Sequence, residues 1–215
     1  MHNIREIYEE YKLMKTLQLH MLRVAAVASM ICDSFDEPID KEKIVKVCLL
    51  HDMGNIIKFQ LDYFPELNKP EGLEYWQNVQ KEFIEKYGDN EHDATIQIIR
   101  ELGVSEDIAE LADQNHFHLL CEHAAGDNMF VKIMHYADMR VGPFGVLSYE
   151  ERMEEAKKRY ANHKDRFKEE GRLELVACGK EIENQIFSHC SIKPADINDQ
   201  TIASIIEELK NFVIH

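Results

Sequence analysis

The chain has 215 residues, 45% of them apolar, enough for one substantial core without requiring a second full domain. Forty acidic against 25 basic side chains give a formal charge of −15, which disfavours a nucleic-acid polymer or an anionic membrane as partner. No run approaches the roughly 20 apolar residues of a membrane span. "MHNIREIYEEYK" lacks the basic and apolar regions of a signal peptide, and Cys32, Cys48, Cys121, Cys178 and Cys190 form no CxxC pair. Reduced thiols and a cytoplasmic location are therefore expected.

Apolar residues recur at steps of three and four along nearly the whole chain, so the expected fold is all-α. A first long helix carries Ile4, Ile7, Tyr11, Met14, Leu17, Met21, Val24, Ala28 and Ile31 on one stripe. A second follows "DSFDEPIDKEK" and ends near Gly54, which is expected to turn the chain through the left-handed region. The insert from Lys58 to Gly72, with Tyr63, Phe64, Pro65 and Pro70, suits a lid or pocket wall, or simply a loop over a bundle edge. Helices are then expected over 73–87, about 91–102, and 106–115 or beyond with Ser105 as N-cap. Asn128 caps a helix reaching Gly142, "SYEE" at Ser148–Glu151 has the form of a capping box, and two last helices fall near 173–187 and 199–213.

Several polar residues fall on these apolar stripes. His20 lies between Leu17 and Val24, and His51 and Asp52 continue the face of Ile44, Val45, Val47 and Cys48. His92 precedes Ile96 and Ile99, His116 follows Ile108 and Ala112 at steps of four, and Asp138 sits between Met134 and Val141. One such histidine is ordinarily a hydrogen-bonded core residue. Four imidazoles and two carboxylates with no Lys or Arg on the same stripes are different, because burying unpaired charge costs several kcal/mol. A divalent cation is the natural partner, and a His/carboxylate set without thiolate suits iron, manganese, cobalt or zinc.

In this order, His20, then the doublet His51-Asp52 in "LLHDMGN", then His92, His116 and Asp138 in "YADMR", the sequence resembles the HD-domain superfamily of metal-dependent phosphohydrolases over roughly residues 14–142. The resemblance implies an all-α HD-domain helical bundle, expected here over 1–170, with additional C-terminal helices over 171–215 that pack on it or form a face between two copies. It implies that His20, His51, Asp52 and Asp138 hold one metal ion and His92 and His116 a second, with Asp52 bridging. Iron or manganese is favoured, and zinc, cobalt or magnesium is allowed.

The implied reaction is hydrolysis of a small phosphorylated substrate by a hydroxide held between ions about 3.5–4 Å apart. Relatives with the same ligand set that use two irons and dioxygen imply a second reading, and a non-catalytic ligand-sensing or partner-binding module is a third. Many members carry a lysine after the doublet's glycine where this chain has Asn55, so Lys58, one short turn on, is the substitute expected to meet phosphate. Arg140 and Arg23 are further phosphate-facing candidates. His118 is the alternative to His116, and His135 is a supporting partner for Asp138.

Overall fold

The structure, a computed structural model, describes residues 2–63, 65–159, 161 and 169–214. Phe64 of the expected lid lies outside the described residues. Helices dominate: α1 Ile4–Glu10, α2 Lys15–Asp33, α3 Lys41–Leu50, α4 Leu73–Tyr87, α5 Glu91–Glu101, α6 Glu106–Ala112, α7 Leu120–Ala125, α8 Met129–Asp138, α9 Tyr149–Arg159, α10 Glu169–Phe187 and α11 Ala203–Leu209. Two short strands, β1 His2–Asn3 and β2 Val213–Ile214, pair antiparallel and close the two ends of the chain together. At two residues each they are too short for alternation to show in a sequence.

The bundle is built around α2. Val24, Ala25, Ala26, Val27 and Ala28 are all fully buried, so this stretch meets neighbours on every side, and its alanines keep it slim where α3, α8 and α11 pack against it. The first helix is not continuous, however. It breaks between α1 and α2, where Lys12 takes φ +50° and Leu13 and Met14 stay buried. The apolar rhythm survives the turn because both helices bury toward the same core, and no glycine or proline marks the break.

Other boundaries shift for local reasons. α6 ends at Ala112 and α8 at Asp138, both earlier than expected, because short turns follow without losing the apolar pattern. α11 covers only 203–209 before β2 begins, and α10 starts earlier, at Glu169. Asn128 does cap α8, its Oδ1 accepting from the backbone N–H of Phe130 and Val131, and Ser148 and Glu151 form the reciprocal capping bonds. Ser105 precedes α6 without capping its backbone.

Beyond the region of resemblance, α10 packs on α7 and α8, and α11 on α2. Cys121 of α7 and Cys178 of α10 form a disulfide with Cα atoms 5.0 Å apart, which corrects the expectation that all the thiols are reduced. Fifty-seven residues separate the pair, so only the packing of the two helices could bring it to light. Cys32 and Cys48 are free and buried, and Cys190 is free and half-buried.

Candidate metal centre

The doublet stands just beyond α3 rather than inside it. α3 ends at Leu50, His51 occupies the C-cap position and Asp52 begins the turn. The carbonyls left over at this helix end are used to build the site. Leu49 O accepts from the buried Tyr8 hydroxyl at 2.7 Å, and Cys48 O lies 2.8 Å from His51 Nδ1. A carbonyl only accepts, so Nδ1 carries the proton and Nε2 faces the site. That Nε2 is buried with no hydrogen-bond partner.

Three other side chains converge on it. His51 Nε2 is 3.6 Å from Asp52 Oδ1 and 3.7 Å from Asp138 Oδ1. His20 Nε2 from α2 is 3.1 Å from Asp138 Oδ1 and 3.5 Å from Asp52 Oδ2. Ligand atoms of His20, His51 and Asp52 all lie within 4.8 Å of one another. Burial works against charge on His51, yet Asp52 and Asp138 outweigh it and push its pKa up to about 9. Burial likewise opposes ionisation of Asp138, but His20 and His51 hold its carboxyl well below the usual carboxylate range. The two shifts are reciprocal: the carboxylates favour a positive charge at His51, and the imidazoles favour the ionised form of Asp138. The unpartnered imidazole nitrogen and the all-N/O donor set fit a divalent metal ion.

A second histidine pair stands beside this cluster. His92 in the first turn of α5 and His116 have ring centroids 3.9 Å apart, while the exposed His118 is 5.2 Å from His116. His116 was placed by extending the phase of α6, yet that helix has ended and His116 sits in extended backbone at φ −114°, ψ 126°. It is nonetheless His116, not His118, that meets His92. Burial first, then His116 and Lys58, lower the pKa of His92. Burial and then His118 lower that of His116. Neutral imidazoles are the form that ligates a metal. The charge of Asp52 reaches His92, tying the two groups electrostatically.

Gly54 joins them mechanically. Its φ is −92°, so the left-handed turn expected there is absent, and the requirement is for space. An added Cβ would collide with Glu91 O and lie 2.8 Å from Thr95 N, and Gly54 N donates to Thr95 Oγ1 at 2.9 Å. Only glycine lets the doublet's turn press against the start of the helix that carries His92.

Of the expected phosphate-facing residues, Lys58 closes a 3-10 turn at Asn55–Lys58, is exposed, and has Nζ 3.5 Å from Glu91 Oε1. Asn55 is buried. Arg140 is a correction: its guanidinium is buried and donates to Leu147 O, Tyr136 Oη, Pro194 O and Ile197 O. Four of its five N–H groups are thereby spent, two of them on tying the end of α8 to the C-terminal segment at Pro194 and Ile197. Arg23 likewise turns to Asp199 Oδ1 and Phe144 O.

His135 is fully buried with Nδ1 unpartnered, and burial lowers its pKa to about 3. The insert is tied down rather than loose, since Trp76 Nε1 donates to Asn68 O and Gln80 Nε2 to Ile56 O and Phe59 O. Tyr63 is half exposed there. Glu91 and Asn115 escaped the sequence reading; the one signal each offered is that it directly precedes a candidate ligand. A cleft of about 410 Å³ between the end of α4, α5 and α6 contains none of the expected ligands.

An all-helical bundle converging two histidines and two aspartates, with the His-Asp doublet at a helix end, defines a class of metal-centred helical proteins. The HD domain family model matches residues 18–157, and the chain belongs to that family, part of a superfamily of metal-dependent phosphohydrolases whose domains bind divalent metals. No curated protein and no solved structure matches the chain. Among the described residues no helix is long and apolar enough to cross a membrane.

Proposed function

We propose that the chain hydrolyses a phosphate ester of a small metabolite or nucleotide at a centre of two divalent metal ions. The observation that carries this reading is the unpartnered, buried Nε2 of His51 facing two carboxylates. His20, His51, Asp52 and Asp138 would hold the inner ion, and His92 and His116 an outer one, with Asp52 shared. Iron or manganese suits this donor set best. When bound, such ions act as Lewis acids and make hydroxide available near neutral pH.

The chain's own residues supply the rest. The carboxylates fix negative potential where cations are needed, and Tyr8 and Cys48 O hold the doublet in place. Lys58, exposed and close to His92 and His116, offers an ammonium to the phosphate oxygens, and Glu91 keeps it on that side until substrate arrives. In the reaction a P–O bond forms to the water oxygen, the ester P–O bond breaks, and the leaving oxygen ends protonated. A chain of charge −15 favours small substrates, whose phosphate is drawn in locally, over long polyanions.

The test is phosphate release from a panel of nucleotides and phosphomonoesters by manganese- or iron-loaded protein in an anaerobic chamber. Release that persists without dioxygen is expected. Turnover only when dioxygen is admitted would assign the centre to oxygenation instead, and no turnover with any metal would end the enzyme reading.

A further inference from the structure

We infer that Asn115 is a positioning residue of the metal centre, setting the orientation of Asp138. The inference rests on the metal-binding reading above and extends it to a residue outside the expected ligand set. Asn115 Nδ2 lies 3.3 Å from Asp138 Oδ2. A carboxylate oxygen only accepts, so the amide must present its NH2 there, and its carbonyl oxygen then has to point elsewhere. That oxygen, Asn115 Oδ1, is buried and has no hydrogen-bond partner. The bond also divides the labour of Asp138: Oδ2 is held by Asn115 while Oδ1 faces both imidazoles, 3.1 Å from His20 and 3.7 Å from His51.

The backbone around Asn115 is set for this role. Its N–H donates to Ala112 O at 3.1 Å, closing the turn after α6, and the preceding Gln114 O lies 3.0 Å from His123 Nε2 of α7. The next residue is His116, which meets His92. One pinned turn therefore delivers a supporting amide to the inner cluster and an imidazole to the outer pair. Leaving a buried amide oxygen unpartnered is unfavourable, so a residue kept only for packing would be better apolar.

Outer partners of metal ligands are typically worth about 10–100-fold in metal affinity. Manganese binding by calorimetry and the visible spectrum of the cobalt-loaded full chain should therefore be compared between wild type and Asn115→Leu. The expected result is about 10–100-fold weaker manganese binding, a changed cobalt spectrum, and an undiminished melting temperature of the metal-free protein. Asn115→Ala is read the same way, so that a folding failure of the leucine variant leaves the question answerable. Identical affinity and spectrum in a folded variant would overturn the inference while leaving the metal centre intact. So would a lower metal-free melting temperature with affinity unchanged, the mark of a packing residue. Wild-type protein that binds neither ion would remove the metal reading and this inference together.

Discussion

The two halves of the histidine-aspartate constellation are built differently. The inner half, His20, His51, Asp52 and Asp138, is drawn from the central helix α2, the end of α3 and the end of α8, with contacts of 3.1–3.7 Å. It is acid-rich, and its electrostatics hold His51 ready to be charged and Asp138 ionised. The outer half, His92 and His116, comes from the first turn of α5 and from extended backbone beyond α6, and its imidazoles are pushed toward the neutral form. Burial alone does not decide which half is preorganised, because most of these side chains are only half-buried. Preorganisation comes from the number of rigid elements that converge and from the charge balance they enclose. The inner half should therefore bind a cation first and tightly, and the outer half second and more weakly.

The largest effect should come from Asp52, the residue we propose that both halves share. Asp52→Ala should abolish binding of both ions and lower phosphate release more than about 100-fold, beyond what loss of a supporting hydrogen bond costs. Metal analysis and turnover on one preparation check it, and a variant that keeps either ion contradicts the sharing. Next comes the junction. In Gly54→Ala the new methyl would meet Glu91 O and Thr95 N, so we expect a loss of about 1–3 kcal/mol in chemical denaturation from overpacking. The outer ion should be weakened more than the inner one, since it is α5 that must move.

Lys58→Ala should leave both ions bound and reduce kcat/KM about tenfold, through KM, as expected for one charged hydrogen bond of about 1.5 kcal/mol. An unchanged KM would return Lys58 to the solvent. A last effect, confined to acid conditions, concerns the stability of metal-free protein. His135 has a folded pKa of about 3, against about 6.5 when unfolded. As pH falls below 6.5 the unfolded chain gains a proton that the folded chain refuses until about pH 3, so stability declines by up to about 1.4 kcal/mol per pH unit. His135→Leu should flatten this slope, and an unaltered slope would show that His135 is not the group responsible.

How far the sequence could be read differs between the same two halves. His20, His51 and Asp138 belong to helices or their ends, where a step of three or four residues carries a side chain to a known face, and the three side chains do converge. His116 was reached by a helical phase that no longer applies at that position, and only the fold shows why it meets His92. Arg140 illustrates the opposite failure: its place beside Asp138 suggests a phosphate contact, but four of its five N–H groups go to the Tyr136 hydroxyl and to carbonyls 7 to 57 residues away. Gly54 was recognised as necessary for a conformational reason, whereas the reason is contact with a helix 40 residues on. The Cys121–Cys178 disulfide and Asn115 depend on long-range packing and leave no periodic trace.

The most direct test of the unequal halves is a metal titration of full-length, chelator-stripped protein with manganese, run beside His92→Ala and His51→Ala. We predict two ions per wild-type chain in two resolvable steps, about one tight ion remaining in His92→Ala, and none bound tightly in His51→Ala. A single ion in wild type that is retained unchanged in His92→Ala would contradict the account and leave the outer histidines without a metal.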